Sequence, residues 1–319
     1  MAEIKIIENP SELGAGTRGA SLGIGALKVA AHNQKSAYFG NFERFVIDDE
    51  NERLNDPVQY KFALRAEGIL SIYQRVSDTV SHVLKEGDFP LILAGDHSSA
   101  GGTIAGIKAV YPEKRLGVVW VDAHADMHTP LTTPSGNMHG MPLATALGIT
   151  NEESKINEAD SEGLEFWEQM LNLNGVSPKI QADDLVFVGV RDTEKPEDDL
   201  IERLGIRNFE VAEVRSNGVN AIVESIKDKL ADCDMIYVSF DVDSMDCDLV
   251  SRGTGTPVPN GLTEEEALGF VRQLSSWEKC CCLEFVEINP CLDDKINTMA
   301  ETAFRILEST TEELQKRFE

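Results

Sequence analysis

Residues 115–126 read RLGVVWVDAHAD and place acidic and imidazole side chains directly after an apolar run. The run is rich in valine and apolar on both faces, which is typical of a parallel strand that helices cover on both sides. Asp122, His124 and Asp126 follow it at alternate positions, and alternate residues of an extended chain point to the same side. We therefore expect a buried strand whose carboxyl end presents a group of polar side chains.

Four further apolar runs share this character, and helix-like stretches separate them. The predicted strands cover residues 90–95, 116–122, 184–190, 234–241 and 281–288. The predicted helices cover residues 58–85, 99–110, 196–204, 218–231, 263–276 and 293–315. Thr263 and Glu266 form a capping-box pattern at the start of the fifth of these helices. Alternating strands and helices predict an α/β fold with a mostly parallel sheet.

The chain shows no internal repeat and no linker rich in proline or serine. We therefore predict that residues 1–319 form a single domain, a length within the range of α/β domains. Residues 150–182 are polar and acidic, and we expect them to form a partly helical excursion between two strands.

The composition argues against several kinds of partner. Aspartate and glutamate total 55 against 29 lysines and arginines, so the formal net charge is −26. A field of this sign repels nucleic acid and anionic membranes but suits cationic small molecules and divalent metals. The first ten residues lack the apolar segment of a signal peptide, and no window approaches a membrane span, which predicts a cytoplasmic protein. The six cysteines include no Cys-x-x-Cys pair and are expected to be reduced thiols.

All five predicted strands end in charged or imidazole residues. The residues in question are Asp96 and His97, then Asp122, His124 and Asp126, then Arg191 and Asp192, then Asp241 and Asp243, and finally Glu287. Ligand sites of open parallel sheets lie beyond the carboxyl ends of the strands. One such aspartate is commonly a helix cap, but the recurrence predicts a site. Clustered carboxylates need a compensating cation, and oxygen and imidazole ligands without thiolate favour a pair of Mn²⁺ ions, with zinc, iron and cobalt as alternatives.

Three motifs carry a family resemblance. AGDHS (94–98), DAHAD (122–126) and SFDVDSMD (239–246) resemble, in order, the signatures of the ureohydrolases, the arginase and agmatinase superfamily. The resemblance spans residues from about 87 to 290 and implies a three-layer α/β/α sandwich around a parallel sheet of about eight strands. It also implies two Mn²⁺ ions per subunit. The implied ligands are His97, Asp122, Asp126 and Asp241 for the first ion, and His124, Asp122, Asp241 and Asp243 for the second.

Other segments resemble the arginases in particular. TPLTTPSGNMHG (129–140) is similar to the arginase substrate loop, and VRDTEKPE (190–197), GTGTPV (253–258) and EFVEINP (284–290) are similar to further arginase segments. The resemblance implies that Thr133, Ser135 and Asn137 bind the substrate α-carboxylate and that Asp192, with Glu194 and Glu197 beside it, meets the α-amino group. It implies a proton shuttle at His139 and a guanidinium site at Thr256 and Glu287.

Three positions depart from the arginase pattern. His128 stands where arginases usually have an asparagine that contacts the α-carboxylate, and Glu194 stands where an aspartate is usual. The segment SMDCDLVSRGTGTP replaces a common GLDP turn and is one residue longer. We keep His128 among the candidate substrate-binding residues, because its imidazole is able to donate to a carboxylate.

The resemblance implies hydrolysis of L-arginine to L-ornithine and urea by a hydroxide that bridges two metal ions. Glu287 would orient the guanidinium, Asp126 would pass a proton to the leaving amine, and His139 would help restore the hydroxide. The implied protein is a homo-oligomer, a trimer or hexamer. Agmatinase and formimidoylglutamase activities remain alternatives, as do a dimetal phosphoesterase, for which a basic phosphate-holding cluster is missing, and a non-catalytic, metal-dependent amino-acid sensor.

Overall fold

The computed structural model describes residues 2–295 and 297–319, and within them the chain forms eight strands and ten α-helices. The strands are β1 Ile4–Asn9, β2 Glu43–Val46, β3 Phe89–Ala94, β4 Leu116–Val121, β5 Leu185–Val188, β6 Arg207–Phe209, β7 Met235–Asp241 and β8 Cys280–Val286. The helices are α1 Gly23–Asn33, α2 Ala66–Lys85, α3 Ser99–Val110, α4 Pro142–Leu147, α5 Ser161–Leu171, α6 Lys195–Leu204, α7 Val211–Asn217, α8 Val219–Lys229, α9 Glu264–Ser275 and α10 Thr298–Gln315.

The eight strands form one parallel sheet in the order β2-β1-β3-β8-β7-β4-β5-β6. Every strand pair in it is parallel, which requires that the connections cross over the faces of the sheet. The sheet separates two apolar cores. Val119 and Val121 of β4 belong to a core shared with α1, α8, α9 and α10, whereas Val118 and Trp120 belong to a core shared with α2, α3 and α6. The predicted α/β/α layering and the eight-stranded parallel sheet are therefore confirmed.

The five predicted strands correspond to β3, β4, β5, β7 and β8, but three strands were not predicted. Strand β1 is buried along its whole length although it contains Lys5 and Glu8, because both are paired with opposite charges: Lys5 Nζ lies 2.8 Å from Glu43 Oε2 and Lys28 Nζ lies 2.6 Å from Glu8 Oε2. Strand β2 lies at the sheet edge and is largely exposed, and β6 has only three residues. Their sequences therefore lack the apolar pattern on which the prediction depended.

Two predicted helices are shorter than expected. The prediction for residues 58–85 was wrong at its start, because α2 begins at Ala66 after Arg65, whose φ of 57° lies in the left-handed region. The prediction for 293–315 was also too early, since α10 begins at Thr298. The capping box of Thr263 and Glu266 is confirmed. Helices α1, α4 and α7 were not predicted, and α5 lies in the polar segment 150–182.

Two expectations from composition can be compared with the fold. All six cysteines are free thiols, as predicted. In the described ranges, no helix combines the length and apolar character that crossing a bilayer requires.

Candidate active site

Four neighbouring strands bring the candidate ligands to one edge of the sheet. Strands β3, β8, β7 and β4 are consecutive neighbours, and their carboxyl ends meet. His97 follows β3, Glu287 follows β8, Asp241 ends β7 and Asp122 follows β4. The parallel topology thus brings together side chains that are up to 190 positions apart in sequence.

A first cluster of ligand atoms surrounds the ring of His97. Its Nδ1 lies 3.0 Å from Asp122 Oδ2, 3.2 Å from Asp126 Oδ2 and 3.2 Å from Asp241 Oδ2. All four side chains are buried. One nitrogen and three carboxylate oxygens therefore converge on a space that a single cation would fill.

A second cluster lies on the other side of Asp122. His124 Nδ1 lies 3.0 Å from Asp243 Oδ2 and 3.6 Å from Asp122 Oδ1. Asp122 therefore directs one carboxylate oxygen to each cluster. Asp241 directs Oδ2 to His97, whereas its Oδ1 accepts a hydrogen bond of 2.8 Å from the backbone N–H of Asp243. The two clusters share the carboxylate of Asp122.

The crowding of buried carboxylates disfavours their charged forms. Desolvation raises the pKa of Asp126 to about 6, and the neighbouring Asp122 carboxylate adds to the rise. Desolvation likewise raises the pKa of Asp241 and of Asp243, with further contributions from neighbouring carboxylates. Burial alone would lower the pKa of His97, but the three carboxylates close to its ring outweigh that effect and raise the pKa. Cations between the imidazoles and the carboxylates would relieve this crowding.

The donor atoms fit divalent metal ions. In the part of the chain that the structure describes, His97 Nδ1 and Asp122 Oδ2 are buried and have no hydrogen-bond partner. Buried polar atoms in folded proteins normally have one, so these two atoms require a ligand that the protein itself does not supply. A ligand set of imidazole nitrogens and carboxylate oxygens without thiolate is more typical of Mn²⁺ than of thiolate-bound zinc.

Glu287 and His139 form a pair beside the first cluster. His139 Nδ1 lies 3.1 Å from Glu287 Oε1, which also accepts a hydrogen bond of 3.0 Å from the backbone N–H of His97. The other oxygen of Glu287, Oε2, is buried without a hydrogen-bond partner among the described residues. Glu287 and Asp126 have φ values of 67° and 48°, a left-handed conformation that costs a residue other than glycine about 1–3 kcal/mol. Such strain is concentrated at functional sites.

One cavity of about 310 Å³ unites the predicted residues. Every predicted site residue except Asp122, which lies fully buried beneath it, lines this cavity: His97, His124, Asp126, His128, Thr133, Ser135, Asn137, His139, Asp192, Glu194, Glu197, Asp241, Asp243, Thr256 and Glu287. The metal-ligand candidates form its floor and the segment 133–137 forms part of its wall. The volume suits a small molecule of amino-acid size.

Comparisons with known proteins agree with this arrangement. The sequence model described as Arginase family matches residues 2–311. The chain belongs to the arginase family. Arginase from Bacillus subtilis (strain 168) is 33% identical, over 96% of each chain. The crystal structure of arginase from Bacillus caldovelox is 32% identical and covers 97% of this chain and 98% of its own, with a TM-score of 0.81. Arginase from Entamoeba histolytica, solved in complex with L-ornithine, is 29% identical over 98% of this chain and 99% of its own, with a TM-score of 0.80.

Family membership confirms the resemblance inferred from the three motifs. The protein is a hydrolase of the arginase type, a class that cleaves carbon–nitrogen bonds of linear amidines. The family is metal-dependent, and the two clusters around Asp122 are able to hold metal ions. The individual substrate contacts depend on the residues at the outer end of the cavity.

The segment that resembles the arginase substrate loop is held by its own hydrogen bonds. Thr133 Oγ1 accepts hydrogen bonds from the backbone N–H groups of Ser135 and Gly136, at 3.3 and 2.9 Å, and Ser135 Oγ accepts one of 3.2 Å from the N–H of Asn137. Gly136 has a φ of 81° and packs against the backbone of Lys61, where a Cβ would collide. Both hydroxyl groups accept in these contacts, so their hydrogens remain available to an anion in the cavity.

His128 and Glu194, two of the three departures from the arginase pattern, contact each other. His128 Nε2 lies 2.8 Å from Glu194 Oε2 and 3.2 Å from Glu197 Oε2, and His128 Nδ1 lies 3.2 Å from Thr132 Oγ1. Burial would lower the pKa of His128, but the two glutamates raise it to about 9. Both ring nitrogens therefore face protein partners. In this geometry neither is available to donate to a substrate carboxylate, contrary to the expectation from sequence.

Three further predicted substrate contacts, Thr256, Glu197 and Asp192, lie in different surroundings. Thr256 Oγ1 donates a 3.0 Å hydrogen bond to Asp243 Oδ2, which links it to the second cluster. Glu197 is buried, and its carboxylate accepts from the backbone N–H of Met127 at 3.1 Å and of Glu194 at 3.3 Å, which caps α6. Asp192 is exposed at the mouth, with Oδ2 3.6 Å from His124 Nε2. Asp192 is therefore the most accessible acceptor for a cationic group.

Two features of the site were missed from sequence. Gly16 and Thr17 line the cavity, and the loop that carries them is fixed by Asp96, whose Oδ2 accepts a 2.8 Å hydrogen bond from Gly14 N–H. The glycine-rich stretch after β1 was the sequence feature that could have indicated this loop. The guanidinium of Arg191 donates to the backbone carbonyls of Asp243 and Val258, at 3.0 and 2.8 Å, and so holds the loop that carries the second cluster. Nothing in the sequence marked Arg191 as more than a strand end.

Proposed function

We propose that this arginase-family hydrolase cleaves L-arginine to L-ornithine and urea with two Mn²⁺ ions per subunit. The observation that carries the proposal is the carboxylate of Asp122, whose two oxygens face two separate clusters of imidazole and carboxylate. Two Mn²⁺ ions held there would supply Lewis acidity and a hydroxide nucleophile at neutral pH. His97, Asp122, Asp126 and Asp241 would hold the first ion, and His124, Asp122, Asp241 and Asp243 would hold the second.

The groups beside the clusters have roles in binding and proton transfer. Glu287 Oε2 is a buried carboxylate oxygen without a partner among the described residues, and it is suited to pair with a guanidinium. This pairing orients the guanidinium carbon over the floor of the cavity. Asp126 would pass a proton to the leaving amine. His139, held by Glu287, carries protons between the site and solvent.

The outer end of the cavity supports an α-amino acid as the substrate. The hydroxyls of Thr133 and Ser135 and the amide of Asn137 are donors suited to a carboxylate. Asp192 is an accessible acceptor suited to an α-ammonium group. L-ornithine, which the Entamoeba histolytica arginase holds in its solved complex, carries both groups. Asp192 and the 133–137 loop are therefore the proposed contacts for the amino-acid end of arginine.

The lining of the cavity weighs against the alternatives. In the described part of the chain, neither lysine nor arginine lines the cavity. A formimidoylglutamase needs a partner for a second carboxylate, and a phosphoesterase needs cationic groups for its phosphate. An agmatinase does not need the carboxylate-binding loop. A non-catalytic sensor of amino acids would not require the full set of metal ligands that this site contains.

Urea release from L-arginine and agmatine, and formamide release from formiminoglutamate, each with added Mn²⁺, test the proposed function. A site built with donors for a carboxylate leaves them unpaired when the substrate lacks one, and such losses reach about 10⁴-fold in kcat/KM. Thr133 and Ser135 already have backbone partners, so the loss should be smaller than this upper value. We expect kcat/KM for L-arginine to exceed that for agmatine by at least about 10²-fold. Formiminoglutamate should not be cleaved. Equal kcat/KM values for arginine and agmatine would contradict the proposed substrate, and no urea from either of them would contradict the proposed reaction.

The contacts of His128 lead to a prediction about the arginase pattern. His128→Asn should change kcat/KM for arginine by less than about 10-fold, because the imidazole faces Glu194, Glu197 and Thr132 rather than the substrate. His128→Ala should instead lower thermal stability, because the buried Glu197 loses a charged partner, a loss of about 1–3 kcal/mol. His32→Ala, at an exposed position, is the control for the loss of an imidazole. A fall of more than about 10²-fold in His128→Asn would show that the ring binds substrate directly.

A further inference from the structure

The polar segment 150–182 lies between α4 and β5 and contacts the outside of the substrate loop, residues 129–140. The closest contact is made by the side chain of Asn157. Its Nδ2 donates a 2.6 Å hydrogen bond to the carbonyl oxygen of Thr133 and a 3.3 Å hydrogen bond to that of Pro130. Carbonyl oxygens only accept, so the group that faces them must be the amide nitrogen. The amide of Asn157 therefore bridges two residues of the loop.

The backbone of the polar segment reinforces this contact. The N–H groups of Ile156 and Asn157 both donate to the carbonyl of Leu131, at 2.9 Å. At the start of the loop, Thr129 donates a 2.8 Å hydrogen bond from Oγ1 to the carbonyl of Thr150. The polar segment thus holds the first five residues of the substrate loop.

The part of the loop beyond these residues is held by a different segment. The N–H of Leu64 donates to the carbonyl of Gly136 at 2.9 Å, and Gly136 packs against the backbone of Lys61. The N–H of Lys61 in turn donates to Asp160 Oδ2 at 3.3 Å. The polar segment therefore supports the loop twice, directly through Asn157 and indirectly through Asp160.

Thr133 is the residue at which the contact of Asn157 reaches the cavity. Thr133 is buried and lines the cavity, and its Oγ1 accepts from the N–H groups of Ser135 and Gly136. In the part of the chain that the structure describes, no group other than Asn157 donates to the carbonyl of Thr133. A carbonyl that loses its partner on burial is unfavourable, so loss of the amide should displace Thr133 and the turn that follows it.

We propose that Asn157 is a positioning residue for substrate specificity, which holds Thr133 and the turn after it where they receive the substrate α-carboxylate. The inference rests on the proposed function, because it requires a substrate that carries a carboxylate. Asn157 is not among the described residues that line the cavity, so it acts through Thr133. A displacement of about 1 Å, caused by a change remote from the reacting atoms, is enough to lower a rate about 10²-fold.

The anchoring of the polar segment argues against a role in stability alone. Trp167 and Met170 of α5 are buried in one core with Ile69 and Tyr73 of α2. This apolar packing secures the segment without the amide of Asn157. The side chain of Asn157, by contrast, donates to the substrate loop. Its removal should therefore loosen the loop and leave the rest of the fold in place.

Asn157→Ala tests the proposal, because agmatine lacks the carboxylate and serves as an internal comparison. In the full-length, manganese-loaded protein we expect kcat/KM for L-arginine to fall about 10- to 100-fold, mainly through KM. The value for agmatine should change less than about 3-fold. L-ornithine carries the same α-carboxylate, so its Kd, measured by isothermal titration calorimetry, should rise by the same factor as KM. This binding measurement does not depend on turnover.

Two further variants separate the lost hydrogen bonds from lost volume and from lost stability. Asn157→Leu has a similar volume and no donor, so it should have the same effect as Asn157→Ala. Asn174→Ala is the matched control, because Asn174 Nδ2 also donates two hydrogen bonds, at 2.7 Å to Ser77 Oγ and at 3.1 Å to the carbonyl of Ala105. Its φ of 61° adds strain to the alanine variant, which should lower thermal stability but keep the wild-type preference for arginine.

The ratio of kcat/KM for arginine to that for agmatine decides the outcome. A wild-type ratio in Asn157→Leu would overturn the inference, and so would an equal fall for both substrates in Asn157→Ala. A reduced ratio in Asn174→Ala would also overturn it, because lost stability would then account for the effect. A wild-type chain without a preference for arginine would instead overturn the proposed substrate, and this inference with it.

Discussion

Asp122→Ala is expected to lose both manganese ions and to lower kcat/KM for L-arginine by at least about 10⁴-fold, or about 5.5 kcal/mol of transition-state free energy. The reason is geometric. Asp122 is the side chain whose two oxygens face His97 and His124 separately, at 3.0 and 3.6 Å from their Nδ1 atoms. Removing it opens both ligand sets at once. Elemental analysis of the purified variant and urea release measure the two effects.

Two further variants show whether the effect belongs to the shared carboxylate. Asp243→Ala should weaken mainly the second ion, because Asp243 Oδ2 lies beside the imidazole of the second cluster, 3.0 Å from His124 Nδ1. Asp184→Ala is the matched control for the loss of a buried aspartate. Asp184 pairs with Arg115 at 2.7 Å just before β5, at the opposite edge of the sheet. It should lower thermal stability but retain two ions per subunit. Two full equivalents of manganese in Asp122→Ala would contradict the shared role.

The sequence predicts the inner part of this site because the ligands follow regular structure. Asp122, His124 and Asp126 come directly after a strand with an unambiguous apolar pattern, and the ends of parallel strands must meet at one edge. Strand β1 and edge strand β2 were missed because their sequences lack such an apolar pattern. The charges of Lys5 and Glu8 conceal a buried strand, and their compensating partners become visible only in the folded chain.

Contacts between side chains distant in sequence were not predictable. The approach of His128 to Glu194 depends on how the loop after β4 meets the start of α6. The hydrogen bond from the Tyr237 hydroxyl to Glu284 depends on the register of β7 against β8, which includes an irregularity between Ile236 and Tyr237. A shift of that register by one residue would point Glu284 to the other face of the sheet. Periodicity in a single sequence carries no information about such a register.

His139→Asn is expected to retain both manganese ions and to lower kcat between about 10²- and 10⁴-fold, the range that general acid–base groups contribute. His139 belongs to neither ligand cluster, because its Nδ1 faces Glu287 Oε1 at 3.1 Å. Burial would lower the pKa of His139, but the Glu287 carboxylate outweighs it and raises that pKa to about 9. The ring is therefore protonated at neutral pH: it is able to donate this proton, and it accepts one from water only after its own proton has left.

The pH dependence of kcat distinguishes proton transfer by His139 from a packing effect of the substitution. If protonated His139 is the donor, wild-type kcat falls as pH rises through about 9, because the ring then loses its proton. Asparagine does not titrate in this range, so the variant should lack that fall while its rate at pH 7 is already low. His82→Asn, on α2 and away from the cavity, is the control for the same chemical change. An unchanged kcat in His139→Asn with full manganese content would leave His139 without a role in proton transfer. A low kcat with the alkaline fall intact would assign that fall to another group, because asparagine at position 139 has no proton to lose.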